Sequence, residues 1–406
     1  MKKVPLSQLN PGIVFTEPVY IQDNHLFVAA GVPVKPKELE RLKAWGIDAV
    51  YTNGDILVPP QEKEEAAPSR GTAKTPDEGT LSSPQAKEEL SSAKRQILSL
   101  PEVLERSGAY KTYTNLIEKL SDIFETIAQG LSVNNRSIDT ITDRLLELVR
   151  ENSDQVVTYI LAGEITSASL AKSSVNTAIL AAMIAEEMKI PNVKILTITT
   201  GALLHDIGML RVPREILEKK ENLTTQELQR IQVHPLYGYK IIVKELLYSE
   251  EVGRIALQHH ERWDGEGYPR RLSGEAIDIG ARIVSVCDAF EAMVSEKPYR
   301  NSMIGYQAMK NLLSDNGRRF DPEVLKAFIK TMGIYPIGSL VLINNGALAR
   351  VIDVHGDAPL RPKLQILIDE FGKAYKGNEG EVLDLLTEKS LFIVRAINPK
   401  EIENLV

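Results

Sequence analysis

At 406 residues the chain exceeds the usual size of one domain, so about two or three compact units are expected. Hydrophobic residues at 43% and charged residues at 25% are ordinary for a globular chain able to bury a core. The formal net charge of −7 and pI of 5.6 argue against polymeric nucleic acid as a partner, whereas a small anion needs only the local field of a pocket. Lys2 and Lys3 precede no apolar stretch of the signal-peptide kind, and no run reads as long enough to span a bilayer. Cys287 is the only cysteine, which excludes an intramolecular disulfide and a Cys-rich zinc site. The expectation is a cytoplasmic protein with no membrane contact.

Residues 1–58 read as a small α/β module. Val14-Phe15 and residues 18–21 suggest strands, Asp23-Asn24 a turn, Leu39, Leu42 and Trp45 a helix stopped by Gly46, and residues 49–51 a further strand. His25 and His355 read as turn residues. Residues 59–91 change composition sharply to Pro, Ser, Thr, Gly, Ala, Lys and Glu, which cannot bury enough surface to offset their ordering entropy, so a disordered linker is expected.

Residues 92–333 are helical by pattern. Ile138, Ile141, Leu145, Leu146 and Val149 mark one apolar stripe, and residues 175–188, apolar on nearly every side, predict a buried core helix. Thr224 with Glu227 forms a capping-box signature, and Pro235 suits the first turn of the next helix. Residues 334–406 turn to β: runs at 340–343 and 349–354 flank Asn344-Asn345-Gly346, a hairpin signal, with further strand-like runs at 364–368 and 391–396.

Of six histidines, four fall in one region: His205, His234, His259 and His260. His205-Asp206 stands where an apolar helix should end, His234 at a helix junction, and His259-His260 at the end of the pattern Val252, Ile255, Ala256. Asp288 lies inside an apolar helical run, where an ionised carboxylate is costly unless paired or metal-bound. Imidazole together with carboxylate suits a divalent transition metal (Fe, Mn or similar), as one or two ions. An Asp can bridge two ions, and two ions can polarise a phosphodiester and generate hydroxide. Taken singly each residue has a plainer reading: a His-Asp pair as a cap, His259-His260 as a wet helix end, Asp288 as a core carboxylate satisfied by Arg282. Cys287 reads as a small buried apolar residue. The clustering of four histidines and two aspartates favours the metal.

The motifs His205-Asp206-Ile207-Gly208, Val212-Pro213, Leu223-Thr224, His234-Pro235 and Pro298-Tyr299-Arg300 resemble those of the HD-GYP phosphodiesterase family. So do Ala281-Arg282-Ile283, Phe320-Asp321-Pro322 and, most specifically, residues 259–269, which read HHERWDGEGYP. The resemblance covers about 160–332. It implies a mainly α protein: a helical HD-superfamily core carrying the small N-terminal α/β module and a C-terminal β-rich extension. It also implies cyclic di-GMP as substrate, cleaved to pGpG or GMP. By resemblance Asp206 would bridge two metals, with His234, His259 and His260 at one position and His205 and Asp288 at the other. His205 and Asp206 would be the catalytic pair. Arg300, Tyr268 and Lys219 would serve the ligand, helped by the loop glycines Gly265 and Gly267, with Arg262 and Arg270 as further cations. Trp263 reads as packing the loop against the core.

Two departures from the family pattern stand out. Ser173 occupies the position of an upstream histidine ligand, and Met209 the position of a lysine after His-Asp-Ile-Gly. A serine hydroxyl is a much weaker ligand for these metals than imidazole. If the mapping holds, the Ser173 side chain is expected to aim at His205 and Asp288. The reading leans to a metal-dependent phosphodiesterase hydrolysing cyclic di-GMP. The alternative is a catalytically degenerate domain that binds cyclic di-GMP as an effector or protein-interaction module, and the N-terminal module is a candidate surface for a signalling-protein partner.

Overall fold

The computed structural model describes residues 2–10, 13–17, 19–21, 25–28, 34, 39, 42, 47, 49–57, 107–162, 169–219, 221–295, 304–375 and 379–398. The expected linker at 59–91 lies outside them, as do the turn at Asp23-Asn24, Trp45 and Gly46. The chain divides into two compact units, Met1–Thr80 and Leu81–Val406.

The first unit is built on short strands: β1 (Lys2–Pro5), β2 (Val14–Phe15), β3 (Val19–Ile21), β4 (His25–Val28), β5 (Ala49–Thr52) and β6 (Ile56–Leu57). Four of them form an antiparallel sheet in the order β1-β5-β3-β4, and β2 pairs with β6. Phe15, Val19, Val34, Leu42 and Val50 are buried together as its core. His25, read as a turn residue, instead opens β4 opposite Ile21. Its strand is set by the apolar Leu26, Phe27 and Val28 that follow.

Among the described residues the first helices of the second unit are two long ones, α1 (Gly108–Ala128) and α2 (Asn135–Ala162), the latter broken locally at Asn152. The apolar stripe of α2 is buried, from Ile138 to Val149. Next come α3 (Leu170–Glu187), capped by Ser169, and α4 (Asn192–Leu204). Both are apolar nearly all round, as befits helices buried on every side. Four short or medium helices follow: α5 (Arg214–Leu217), α6 (Thr225–Ile231), α7 (His234–Lys240) and α8 (Glu250–Gln258). The helical part closes with α9 (Ile279–Val294), α10 (Gly305–Ser314) and α11 (Pro322–Met332). The capping box at Thr224 is present in full, its hydroxyl accepting from the Glu227 amide while the Glu227 carboxylate accepts from the Thr224 amide.

Contrary to the expectation that no run reaches bilayer length, Asn192–Arg211 meets that length with a mean hydropathy of 1.3. Its apolarity is used differently here, because 61% of the segment is buried inside the protein and α4 packs on α3, α2 and α8.

Glycines set how closely the helices cross. The Ile255 side chain of α8 is seated against Gly201 of α4 and Gly280 of α9, where an added Cβ would come within 2.6 and 2.8 Å of it. That close approach brings the end of α8 to the end of α4. A second crossing lies at Gly208, where a Cβ would stand 1.9 Å from the His234 carbonyl oxygen and 2.6 Å from the Gly238 amide nitrogen. Only a residue without a side chain lets the turn after α4 lie on α7.

After Gly333 the chain forms a five-stranded antiparallel sheet from β7 (Leu340–Ile343), β8 (Leu348–Asp353), β9 (Lys363–Ile368), β10 (Val382–Asp384) and β11 (Ile393–Ile397), in the order β10-β9-β8-β7-β11. Its core includes Val341, Ile343, Ala349, Val351, Leu364 and Leu385. Gly346 takes the left-handed φ of 94° that the β7–β8 hairpin requires. Tyr306 of α10 stacks on Tyr335 at 4.9 Å, and Tyr335 belongs to the sheet's core.

Candidate metal centre

Three of the histidines occupy equivalent local positions, at or beside a helix end. His205 follows the last residue of α4, His259 follows the last residue of α8, and His234 opens α7 three residues after Ile231 of α6. In each case Nδ1 lies against the carbonyl three residues back: Ala202 at 2.7 Å, Ile231 at 2.7 Å and Ala256 at 2.8 Å. A carbonyl oxygen can only accept, so each Nδ1 carries a proton and donates it. In the neutral rings the Nε2 lone pair is therefore left free, which is the arrangement a metal-ligating imidazole needs.

Those Nε2 atoms converge on Asp206. His234 Nε2 lies 3.0 Å from Asp206 Oδ1, His259 Nε2 3.5 Å from the same oxygen, and His205 Nε2 3.5 Å from Oδ2. Asp288 Oδ1, from α9, is 3.6 Å from His205 Nε2. Ligand atoms of Asp206, His234, His259 and His260 lie within 4.8 Å of one another, as do those of His205, Asp206 and Asp288. Asp206 is common to both groups. His260 differs from the other three: its ring packs on His259 at 4.0 Å and on Tyr268 at 4.8 Å.

The electrostatics of this cluster call for a cation. His205 Nε2 is fully buried without a hydrogen-bond partner. His234 Nε2 and His259 Nε2 face each other at 3.4 Å, although both rings have already spent their proton on a carbonyl. Two lone pairs pointed together beside a carboxylate repel unless positive charge lies between them. Donors about 2.1 Å from a shared ion sit roughly 3 Å apart at right angles, close to the spacings seen here. Burial by itself would disfavour the His205 imidazolium, yet the Asp206 and Asp288 carboxylates outweigh it and hold its proton affinity well above the ordinary histidine range. His260 goes the other way, pushed well down by burial and by His259. Burial would raise Asp206 and Asp288, but the neighbouring histidines overturn it and keep both carboxyls below their usual range. The donor set therefore fits a divalent transition metal.

The loop after α8 roofs the cluster. The buried carboxylate of Glu261 accepts from the Arg270 amide at 2.6 Å and the Leu272 amide at 3.0 Å, closing the loop on itself. The Tyr268 amide donates to the His260 carbonyl at 3.2 Å. Gly265 has a left-handed φ of 83°. Gly267, expected to let the loop approach a ligand, instead meets protein: a Cβ there would lie 2.4 Å from the Arg262 amide nitrogen and 2.6 Å from the His260 carbonyl oxygen. With one face of Tyr268 against His260, its hydroxyl is the group left over, and it makes no hydrogen bond among the described residues. Trp263 lies beneath the Arg282 guanidinium, 5.6 Å from ring centroid to carbon.

The packing overturns the expectation for Ser173 and gives several other residues partners of their own. Ser173 sits in the first turn of α3, but its hydroxyl is not aimed at His205 and Asp288; it donates to the buried Glu291 carboxylate at 2.5 Å. Glu291 also accepts from Asn176 at 3.2 Å and Ser295 at 2.6 Å, and Asn176 accepts in turn from the Tyr113 hydroxyl at 2.7 Å. A short hydroxyl beside a buried acid bonds to that acid because leaving it unpaired is costly. Lys219, offered as a ligand cation, is held by both oxygens of Glu227 at 2.8 and 2.9 Å. Arg282 is not the partner of Asp288; it pairs with Asp321 at 2.7 Å. His355 opens a turn as expected, its carbonyl accepting from the Ala358 amide at 2.9 Å, and its ring is tied to Asp384 at 3.0 Å. Arg300 lies outside the described residues. Glu261 and Glu291 were missed in sequence; Glu291 carries the signal used for Asp288, an acid in an apolar helical run, whereas Glu261 stands among His, Arg and Asp and carries none.

The chain matches the family model of the HD domain over residues 138–324, a KOW domain associated with HD domain over 340–405, and a domain of unknown function over 1–138. It is 34% identical over 229 residues to the cyclic di-GMP phosphodiesterase PA4108 of Pseudomonas aeruginosa, covering 56% of this chain and 52% of that protein. It is 30% identical over 295 residues to the cyclic di-GMP phosphodiesterase PdeB of Borreliella burgdorferi, covering 73% of this chain and 77% of that one. This chain thus spans about half the length of the first relative and about three quarters of the second. A solved HDG"Y"P protein from Bdellovibrio bacteriovorus aligns with 80% of this chain and 97% of that one, at 17% identity and a TM-score of 0.46. With its helical core and histidine-aspartate cluster, and with a relative matched over most of both chains, this chain belongs to the HD-GYP family.

Proposed function

We propose that the protein is a metal-dependent phosphodiesterase acting on cyclic di-GMP, giving pGpG or GMP. The observation that carries the reading is the convergence of four histidines and Asp288 on Asp206, with the buried His205 Nε2 left without a hydrogen-bond partner. His234, His259 and His260 would hold one ion, His205 and Asp288 the other, and Asp206 would reach both. Bound divalent metal supplies charge for the phosphoryl oxygens and lets water ionise near neutral pH. The chain's own contribution is order. The three backbone carbonyls fix the imidazole tautomers, Glu261 holds the loop over the cluster, and Tyr268 presents a hydroxyl that can donate to a substrate oxygen. The relatives' names support the substrate class.

A second reading, a cyclic di-GMP-binding effector without turnover, is favoured by Ser173. Its hydroxyl is spent on Glu291, so position 173 offers no ligand to the His205 and Asp288 side. Metal analysis of purified protein coupled to a cyclic di-GMP turnover assay separates the two. Metal with turnover supports the enzyme, and metal with binding but no turnover supports the effector. Folded, metal-replete protein that neither binds nor cleaves the nucleotide overturns both.

A further inference from the structure

Most cations around the cluster are already committed to carboxylates. Lys219 pairs with Glu227, Arg262 with Asp264, Arg282 with Asp321 and Arg318 with Asp315. Arg270, Arg271 and Arg319 make no ion pair among the described residues, and of these Arg319 is the one set over an aromatic ring. Its half-buried guanidinium makes no ion pair and no side-chain hydrogen bond among the described residues, and rests over the Phe320 ring at 5.0 Å. Its backbone is pinned to the roof of the site: the Trp263 amide donates to the Arg319 carbonyl at 3.1 Å and the Asp264 amide to the Arg318 carbonyl at 2.8 Å. The same loop carries Tyr268 over His260. The Arg319 guanidinium is near enough to Tyr268 for its charge to act on the phenol hydroxyl.

We propose that Arg319 binds a phosphate oxygen of the bound cyclic dinucleotide, with the Tyr268 hydroxyl as its neighbour at the rim. This rests on the reading of the site as one for cyclic di-GMP. With one phosphate at the metal, the second phosphate of the dianionic ligand needs a cation of its own. An arginine is suited to the task, being permanently charged and forked for two oxygens. Neither Arg319 nor the Tyr268 hydroxyl has an ion pair or side-chain hydrogen bond among the described residues to give up.

The test is calorimetry with cyclic di-GMP on the full metal-loaded chain, comparing wild type with R319A, R319K and R318A. Removal of one charge-assisted contact to phosphate is expected to weaken binding by about 10- to 100-fold in R319A. R319K should recover part of the loss, and R318A, which removes an equal charge one residue away, should bind as wild type does. Metal content and melting temperature should be unchanged in R319A, because the backbone carbonyl that holds Trp263 remains. R319A binding as tightly as wild type overturns the assignment alone. Equal losses in R319A and R318A also overturn it, since they would report general charge. A wild type that binds no cyclic di-GMP removes the underlying reading, and this assignment with it.

Discussion

The Ser173 hydroxyl donates to the Glu291 carboxylate across 2.5 Å, joining α3 to α9 one turn beyond Asp288. Glu291 is buried and takes two further donors, Asn176 and Ser295. The position that resemblance assigns to a histidine ligand therefore serves here to satisfy a buried acid. Replacing Ser173 with Ala removes one of three donors and is expected to cost about 1–3 kcal/mol of stability, read as a shift in urea midpoint. A loss below about 0.5 kcal/mol would mean that water or Asn176 takes over the contact.

Ser173→His tests the same position from the other side. An imidazole there can add a ligand on the side of His205 and Asp288 if it turns away from Glu291. More metal per chain is expected, together with faster cyclic di-GMP hydrolysis, about tenfold for each 1.4 kcal/mol taken off the barrier. Both are read on one preparation by elemental analysis and product chromatography. Extra metal with unchanged turnover would place the block elsewhere, with Met209 the first residue to examine, and would favour the effector reading.

Asp206 is the one residue common to both ligand groups. Asp206→Asn keeps its shape while removing the charge that faces three Nε2 atoms, so metal should be lost from both positions. Because metal binding is linked to folding, chelation of wild type and the Asn variant should lower the melting temperature to similar values. A variant that keeps full metal content would show that the histidines alone suffice.

Gly208→Ala places a Cβ 1.9 Å from the His234 carbonyl oxygen, so the turn after α4 and the start of α7 must separate. Since both are backbone, nothing flexible can yield. A loss of about 3 kcal/mol, the upper end for overpacking, is expected, along with weaker metal binding as His234 moves away from Asp206. Denaturant unfolding and metal analysis check both, and a variant as stable as wild type would contradict the crossing.

The capping box sets a pH dependence. Lys219, then the Thr224 amide and hydroxyl, hold the Glu227 carboxyl down at about 2, against 4.5 for the free group. A depressed folded-state value means that the contribution is fully present above pH 4.5 and is lost as the pH falls through about 2. Glu227→Gln should therefore flatten the decline of melting temperature across that window, while the two proteins keep a constant offset above it. Parallel curves throughout would mean the box adds nothing in solution.

Local chemistry made much of this protein legible in the chain. The ends of α4 and α8 follow from apolar periodicity running out at His205 and His259. The start of α6 follows from Thr224 and Glu227, and the β7–β8 hairpin from Asn344-Asn345-Gly346. Each depends on neighbours within a turn or two, so sequence alone carries it. Asp288 was legible for a related reason, as a charge stranded in an apolar run. What only the tertiary structure decided are relationships between residues far apart in the chain. Ser173 and Glu291 are separated by 118 positions, and nothing local says that the hydroxyl turns to the acid and not to the cluster. Lys219 is free or spent according to where α6 folds back, and Gly267 is roomy or crowded according to how the loop lies on His260. Arg319 looks like any surface arginine until its carbonyl is fastened to Trp263, on the loop that carries Tyr268. A residue type and its spacing determine which bonds a group can make, whereas packing determines which partner arrives first and which groups are left with none.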